Sequence, residues 1–267
     1  MRYATFHTHT TYSDGKFSAE EMIQSAIAGD MCAIGFSDHS FTACDTSYCM
    51  QKEDYPRYLQ ELRTLKEKYK DQIPVFAGLE LDYYSDDDTS VFDYIIASVH
   101  YIIENGVCYP IDHSAQQQLS CINDAFGGDI FAMAQRYFDM VCEHVERCNP
   151  TFVGHFDVIT KFSLMPEEDE RYQQMARDAL KRVVRTCPYV EVNTGAIARG
   201  YRKDPYPSLD LLKTLYECGG KPMINSDCHH KDFLQIHFDE SAQLLKQAGF
   251  DCFYIFNGEG FDKVDIE

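Results

Sequence analysis

Short β-rich runs alternate with amphipathic helical patterns along the chain, and this alternation is the feature that most limits how it can fold. Alternation of this kind is typical of a parallel sheet whose strands are joined by crossover helices. The predicted strands cover residues 3–8, 33–37, 75–81, 94–100, 152–156, 189–193 and 223–226, with a possible eighth at 252–256.

Start and stop signals mark the helices between these runs. Ser18-Ala-Glu-Glu21 is a capping box ahead of an apolar stripe that begins at Met22. Two further apolar stripes at helical spacing lie in residues 55–69 and 130–145. Three more helices are predicted, one opened by Pro166 and running to about Cys187, one capped by Ser208 and ending at Gly219-Gly220, and one capped by Asp239 and ending at Gly249.

No linker divides these elements. The 267 residues contain no Pro/Gly/Ser-rich stretch and no internal repeat, so we expect one domain over residues 1–267. The simplest architecture for this order is a single-domain α/β barrel with seven or eight parallel strands. An open, doubly wound parallel sheet is the alternative.

The acidic composition narrows the range of partners. Twenty-four Lys and Arg against 43 Asp and Glu give a net charge of −19, which repels a nucleic-acid backbone. No apolar run approaches the roughly 18 residues of a membrane span, and the N-terminal MRYATFHTHT has no apolar region typical of a secretion signal. We therefore expect a cytoplasmic protein that binds neither nucleic acid nor membranes.

The cysteines suggest neither disulfides nor a zinc ribbon. There are eleven, an odd number, in a chain too long to need disulfide staples, and no C-x-x-C pair occurs. We expect reduced thiols.

Chemically capable side chains follow the predicted strands one after another. In a barrel the carboxyl ends of the strands meet at one face, where active sites lie. A single histidine at a strand end is usually structural, but six of the ten histidines share this placement. His113, His144, His230 and His237 do not. The strand-end residues are His7, His9, Asp38, His39, Glu80, Asp82, His100, His155, Asp157, Asp227 and His229.

Glu80 carries the strongest constraint among them. Period-two alternation puts Phe76, Gly78 and Glu80 on one face of their strand. Parallel strands are covered on both faces, so this carboxylate must lie inside with a cation. An exposed edge strand is the alternative.

Mixed imidazoles and carboxylates without thiolates suit Zn, Fe or Mn. The candidates outnumber the ligands of one tetrahedral ion, which indicates a multinuclear site. The sequence has no nucleophile elbow, Walker loop or dinucleotide-binding glycine motif. Metal-assisted hydrolysis is the remaining class of chemistry.

Seven short motifs contain these residues: His7-Thr-His9, Tyr12-Ser-Asp-Gly15, Ser37-Asp-His39, Gly78-Leu-Glu80, Ser98-Val-His100, Gly154-His155 and Ser226-Asp-Cys-His229. Over essentially the whole chain they resemble the polymerase and histidinol phosphatase (PHP) family. The resemblance implies a distorted (β/α)7 TIM-like barrel with three divalent metal ions, Zn, Fe or Mn. Within the family the chain is most similar to the stand-alone histidinol-phosphatases, on its length, on Tyr109-Pro-Ile-Asp112 and on Asn193-Thr-Gly195 followed by Arg199.

The resemblance also implies a ligand assignment. Asp14 stands where some relatives have histidine, which makes the third metal site harder. The implied ligands are His7, His9, Glu80 and Asp227 for the first ion, Glu80 as a bridge to a second ion held by His100 and His155, and Asp14, His39 and His229 for the third.

The implied activity is hydrolysis of a phosphomonoester, most simply L-histidinol phosphate in histidine biosynthesis, by a metal-bridging hydroxide. Glu80 and Asp227 would act at the catalytic metals. Arg199 is expected to clamp the phosphoryl oxygens and contribute to catalysis, with Lys161 as a weaker second phosphate-binding group. Either cation could instead be a surface charge.

Other readings of the same residues remain open. A phosphodiesterase or exonuclease would share the ligands, although the acidic charge counts against it. Another phosphomonoester, or a non-catalytic module stabilised by metal, is also compatible with the motifs. The general acid, the native metals and the oligomeric state are left open.

Overall fold

The computed structural model describes residues 2–267, and in this range the chain forms eleven strands and eight α-helices. No helix in the range is both long and apolar enough to cross a membrane. The strands are β1 (Ala4–Thr5), β2 (Ala33–Phe36), β3 (Val75–Asp82), β4 (Tyr94–Ser98), β5 (Tyr101–Glu104), β6 (Val107–Pro110), β7 (Phe152–Val153), β8 (Tyr189–Asn193), β9 (Lys221–Asn225), β10 (Cys252–Phe256) and β11 (Phe261–Asp265). The helices are α1 (Ala19–Ala28), α2 (Tyr55–Tyr69), α3 (Ala115–Ser120), α4 (Ile130–Cys148), α5 (Glu170–Thr186), α6 (Gly195–Ala198), α7 (Leu209–Glu217) and α8 (Phe238–Ala248).

Seven strands form one barrel, in the order β1-β2-β3-β4-β7-β8-β9. Every neighbouring pair in this order is parallel. A parallel bridge between Thr8 and Cys228 joins the chain just beyond the first and last strands. The predicted TIM-like barrel is therefore confirmed in place of an open sheet.

Apolar stripes attach the helices to the outside of the barrel. Helix α1 begins with the predicted capping box, in which the side chains of Ser18 and Glu21 each accept the other residue's backbone N–H. The predicted stripe of α4 is buried from Met133 onward, while Ile130 is half-buried. Asp129 caps the start of this helix, and Asn149, in the left-handed conformation, caps its end. These caps satisfy backbone groups at the helix ends that have no partner within the helix.

Aromatic side chains fill the lower part of the barrel, below the polar strand ends. Tyr94 lies against Gly78, where a Cβ would stand only 2.2 Å from the Tyr94 ring. The Tyr94 hydroxyl donates to the carbonyl of Phe6 at 2.6 Å. Phe6 and Phe76 in turn pack edge-on against Phe256. The polar residues above therefore rest on a closed apolar floor.

Phe256 belongs to β10, the possible eighth strand of the sequence analysis. It forms at the predicted bounds but lies outside the barrel, pairing antiparallel with β11 in a two-stranded sheet. Seven strands are enough to close the barrel because β9 lies directly beside β1.

The predicted start of α5 at Pro166 is wrong. The carboxylate of Asp169 accepts the N–H of Arg171 at 2.8 Å, so Asp169 caps a helix that begins at Glu170. Pro166 lies one turn earlier, where its carbonyl accepts the Asp169 N–H at 2.9 Å. Asp169, in the acidic run after Pro166, caps the helix because its carboxylate accepts a backbone N–H, which a proline side chain cannot do.

The predicted cap of α8 is also wrong. The helix begins at Phe238, and the residue before it, His237, is the N-cap and adopts the left-handed conformation with φ 58°. The carboxylate of Asp239 instead accepts the hydroxyl of Tyr3 at 2.6 Å. A tertiary contact therefore uses the side chain that the sequence pattern assigns to capping.

The structure contradicts the expectation that all thiols are reduced. Cys108, on the unpredicted β5-β6 hairpin, forms a disulfide with Cys44 in the loop after β2, and their Cα atoms are 5.7 Å apart. The other nine cysteines are free. The two partners are 64 residues apart in sequence, and only the barrel brings them together.

Candidate metal centre

The carboxyl ends of the strands bring all nine candidate ligands to one face of the barrel. Glu80, near the end of β3, is completely buried at their centre, so its side chain faces inward as the alternation predicts. Its Oε1 lies 3.0 Å from Nε2 of His155, 3.2 Å from Nε2 of His7 and 3.3 Å from Nε2 of His100. We call Glu80 and these three histidines the inner group.

The outer group, Asp14, His39 and His229, lies nearer the mouth of the barrel. The Asp14 carboxylate is 3.2 Å from Nε2 of His229 and 3.6 Å from Nε2 of His39. The His9 ring lies between these two rings, 4.2 Å from each. The Asp14 side chain is 35% exposed, so water reaches this side of the site.

Asp227 connects the two groups. Its Oδ1 is 3.8 Å from Nε2 of His7 in the inner group and 3.8 Å from Nδ1 of His229 in the outer group, and it lies 3.4 Å from Nε2 of His9. It follows β9 in the left-handed conformation, φ 48°, which turns its carboxylate into the site. Gly195 makes room for it, because a Cβ there would stand 2.8 Å from the Asp227 carboxylate and 2.9 Å from Arg199.

Four sets of side chains could each hold a metal ion, because within each set the donor atoms lie within 4.8 Å of one another. His9 belongs to one set with Asp14 and to another with Asp227, and His39 belongs to one set with Glu80 and to another with Asp14. These sets therefore share more residues than the ligand assignment that the family resemblance implies. The sets are His9-Asp14-His39-His229, His7-Glu80-His155, His7-His9-Asp227 and His39-Glu80-His100.

Sequence reasoning missed Glu191, which supports the inner group from β8. Its Oε1 lies 2.8 Å from Nδ1 of His7, while its Oε2 accepts the backbone N–H of His155 and the amide of Asn193, each at 2.8 Å. A carboxylate on the second ring nitrogen fixes the orientation of a ligating imidazole and raises its basicity. The pattern Val190-Glu191-Val192 places Glu191 alone between two apolar residues, as with Glu80.

Two other strand-end carboxylates have similar supporting roles. Oδ2 of Asp82 accepts the backbone N–H of His100 at 3.1 Å and lies 3.3 Å from its Nδ1. Asp38 accepts from the backbone N–H and hydroxyl groups of Thr10 and Ser13, which fixes the loop that carries Asp14. They position candidate ligands and do not face the centre of the site.

The donor set fits metal ions. Several buried atoms have no hydrogen-bond partner, namely Nε2 of His7, both ring nitrogens of His9, Oε2 of Glu80 and Nδ1 of His155. Buried polar atoms are normally paired, and leaving one unpaired is costly. Ions bound between these rings and carboxylates would satisfy most of these atoms.

The electrostatics also favour cations. Burial, reinforced by His229 and His39, lowers the pKa of His9 to about 3, so this ring is neutral and has a free lone pair. Burial opposes ionisation of Glu80, but His7, His39 and His100 together hold its pKa well below the ordinary value. Burial likewise opposes a charged His7, yet Glu191, Glu80 and Asp227 raise its pKa well above normal. A proton and a metal ion compete for such a position.

A cavity of about 360 Å³ opens onto this cluster, a size that suits a small molecule. Arg199 lies in its wall, 3.0 Å from Oδ2 of Asp227 and 3.2 Å from Nδ1 of His229. Lys161 also lines the cavity and is only 8% exposed. Its Nζ donates to the carbonyl of Asp112 at 2.6 Å. Both cations face the cavity, and neither is an ordinary surface charge.

The remaining histidines lie outside the ligand cluster. His144, on α4, contacts the carbonyl of Leu81 through Nε2 at 2.8 Å and is a packing residue. His113 and His230 line the cavity without joining a donor set. His237 caps α8.

A parallel barrel with a buried cluster of imidazoles and carboxylates at its carboxyl end defines a class of metal-dependent barrel proteins. The chain belongs to the PHP domain family, whose model matches residues 5–195. The family resemblance drawn from the motifs is therefore confirmed.

Relatives cover nearly the whole chain. It is 27% identical to the histidinol-phosphatase of Lactococcus lactis over 98% of this chain and 97% of that protein. It is 26% identical to a protein of Schizosaccharomyces pombe named "Probable histidinol-phosphatase", over 91% of this chain and 86% of that one. A crystal structure of the L. lactis histidinol phosphate phosphatase, complexed with zinc, L-histidinol and phosphate, has a TM-score of 0.74 at 22% identity and covers 98% of this chain and 99% of that one.

Proposed function

We propose that this protein is a metal-dependent phosphomonoesterase that hydrolyses L-histidinol phosphate. One observation carries the proposal: the ligand cluster forms the base of a cavity whose wall holds Arg199 and Lys161. Hydrolysis of a phosphomonoester needs an activated water and positive charge around the phosphoryl oxygens. The names of the relatives support the choice of substrate. Because that reaction belongs to histidine biosynthesis, we also propose a cytoplasmic location.

The proposed cofactor is a set of three divalent ions, with zinc, iron and manganese as candidates. When bound, such ions act as Lewis acids and lower the pKa of water. The clustering of donor atoms supports more than one ion, because more ligands converge than one tetrahedral ion uses. The number three follows the family resemblance. The proposed ligands are His7, His9, Glu80 and Asp227 for the first ion, Glu80, His100 and His155 for the second, and Asp14, His39 and His229 for the third.

Arg199 and Lys161 are proposed to bind the phosphate. The Arg199 guanidinium is already oriented by Asp227, and its planar fork can hold two phosphoryl oxygens at once. Lys161 is held by Asp112, and its compact ammonium offers a single point of charge. Together they would place the phosphorus over the inner group and counter the charge that builds up during hydrolysis.

Asp112 is proposed to bind the ammonium group of the substrate. It is the one carboxylate of the cavity lining that belongs to no donor set. Burial opposes its ionisation, but Lys161, with His100 and His155, lowers its pKa to about 2, so it is charged at neutral pH. The aromatic rings of Tyr48 and Tyr101 line the same part of the cavity and offer a surface for an imidazole ring.

The domain is proposed to cover residues 1–267, beyond the matched range. Strand β9 and the candidate ligands Asp227 and His229 all follow residue 195, where the family match ends. Without them the barrel would lack its seventh strand and the site two of its candidate ligands.

Hydrolysis assays test the proposal directly. Phosphomonoesters and phosphodiesters should be compared after the protein is loaded with each of several divalent metals, and L-histidinol phosphate should give the highest kcat/KM. Chelation should abolish turnover and lower the melting temperature, because bound metal stabilises the folded state. Full activity in protein that elemental analysis shows to be free of transition metals, or a preference for diesters, would contradict the proposal.

Asp112→Asn tests the identity of the substrate separately. The backbone carbonyl that anchors Lys161 is retained, so phosphate binding should persist. Losing a charged partner for an ammonium group should raise the KM for L-histidinol phosphate by about 10- to 100-fold. The KM for p-nitrophenyl phosphate, which has no ammonium group, should change little. An equal change for both substrates would remove Asp112 from ammonium recognition.

A further inference from the structure

The Cys44-Cys108 disulfide lies beside the candidate metal centre and ties together two segments that form one wall of its cavity. The first segment is the loop of residues 40–49, which follows the candidate ligand His39 and contains Tyr48. The second is the β5-β6 hairpin, which follows the candidate ligand His100 and contains Tyr101. Both tyrosines line the cavity.

Each segment is pinned at its base by a backbone hydrogen bond. In the loop, the N–H of Met50 donates to the carbonyl of His39 at 3.0 Å. In the hairpin, the N–H of Ile111 donates to the carbonyl of His100 at 3.0 Å. Among residues 2–267, no backbone hydrogen bond joins residues 40–49 to the hairpin, and the side chains of Tyr48 and Tyr101 interact at the cavity. The disulfide is therefore the main tie between their outer parts.

Aromatic contacts carry the position of this wall to the site. The Tyr48 ring packs edge-on against the His39 ring at 4.8 Å, and it lies 6.2 Å from the Tyr101 ring. The His39 ring in turn lies 5.1 Å from the His100 ring. A shift of the loop would therefore displace the Tyr48 ring, which packs against His39 of the outer group.

We propose that Cys44 and Cys108 form a reversible thiol-disulfide site that sets whether this wall is held closed over the cavity. Both residues are partly exposed, so small thiols and disulfides can reach them. Oxidation removes two electrons and two protons from the two thiols, and a low-molecular-weight disulfide such as oxidised glutathione accepts them as two thiols. In the oxidised form the cavity is preformed, whereas in the reduced form binding must also order the loop.

The effect on catalysis rests on the proposed phosphatase function. If the reduced loop is closed about a third of the time, the apparent KM rises about threefold. We expect that change in KM for L-histidinol phosphate, with kcat nearly unchanged because the inner group is not moved.

The experiment compares enzyme equilibrated with oxidised or with reduced glutathione. Thiol titration should give nine thiols in the oxidised form and eleven in the reduced form. Hydrogen exchange in residues 40–49 should speed up on reduction, while exchange in α4 stays constant. The Cys44→Ser/Cys108→Ser double variant should show the high KM under both conditions. Cys32→Ser, which removes a free and partly exposed thiol elsewhere in the fold, should keep the response of the wild type.

Three results would overturn the proposal: eleven thiols after oxidation, equal exchange rates in residues 40–49, or equal KM values in the two forms at the expected thiol counts. Absence of phosphomonoester hydrolysis in both forms would instead contradict the proposed function. In that case the thiol count and the exchange rates would still decide whether the loop is tied.

Discussion

The inner and outer groups of candidate ligands share one cavity but are held in different ways. Glu80 and His7 are completely buried, and Glu191 contacts His7 from behind. The outer group lies at the mouth, where the Asp14 side chain is 35% exposed and the His229 side chain 22%. The carboxylate of Asp14 faces histidine rings, and of these His39 also contacts the inner group, because its Nδ1 lies 2.8 Å from Oε2 of Glu80.

This difference predicts how much change each group tolerates. In the inner group the rings of His7 and His100 are held by Glu191 and Asp82, so a substitution leaves buried groups without partners, which is costly. In the outer group water can replace a lost contact, so the cost is smaller. We therefore expect effects on activity to decrease from the centre of the site to its mouth.

The largest effect is expected for Glu80→Gln. Glutamine keeps the shape but removes the charge that four histidines surround. We expect kcat to fall by about 100- to 1000-fold, the scale of losing a main electrostatic stabiliser. Steady-state kinetics and elemental analysis would measure the loss of rate and of bound metal.

A matched control for this variant is Glu146→Gln. Glu146 is an exposed carboxylate on α4 that pairs with Arg182, and it should behave like the wild type. A Glu80→Gln enzyme with normal rate and metal content would show that the centre of the site is misassigned.

Arg199→Ala tests the proposed phosphate clamp, because a guanidinium has no acceptor and cannot be a metal ligand. Losing a bidentate, charge-assisted contact should lower kcat/KM by about 30- to 1000-fold. Arg199→Lys should restore only part, because lysine lacks the planar fork. Arg57→Ala is a suitable control, since that side chain is 72% exposed.

The metal content of Arg199→Ala also decides how the effect arises. Arg199 contacts Asp227 and His229 as well as the cavity, so its loss could disturb ligands. Retained metal with a lower kcat/KM would support phosphate binding. Lost metal would make the role of Arg199 indirect, and an unchanged rate would remove it from the site.

The alternation of strands and helices predicted the barrel, and placement at strand ends predicted eight of the nine converging residues, because the carboxyl ends of parallel strands meet at one face. Asp14 was predicted only from the family resemblance. Glu191 also alternates with apolar residues on its strand, but no histidine lies near it in sequence, so the pattern did not mark it as a site residue. Asp112 and Tyr48 could not be placed, because they lie on irregular segments without a period. The disulfide between Cys44 and Cys108 could not be predicted either, because it depends on how two segments that are distant in sequence meet in the fold.

Glu191→Gln should have an intermediate effect. The amide cannot accept hydrogen bonds at both ends, so the contact to His7 or the contacts to His155 and Asn193 must weaken. Substitution of such a supporting residue lowers metal affinity or activity by about 10- to 100-fold. Competition with a chelator would measure the affinity, and excess metal should restore much of the rate. A loss of rate that excess metal does not relieve would contradict a positioning role.

The smallest effect is expected for Asp14→Asn, which removes charge from the outer group. Its position is partly exposed, so water can occupy the place of the lost carboxylate oxygen. We expect kcat/KM to fall by no more than about tenfold, or about 1.4 kcal/mol. The outermost ion should also be released at a lower chelator concentration than in the wild type, because fewer charged ligands hold it. Metal stoichiometry measured along a chelator titration would follow this release alongside the rate. If Asp14→Asn instead lost as much activity as Glu80→Gln, the two groups would act as one unit, and the difference in burial would have no functional meaning.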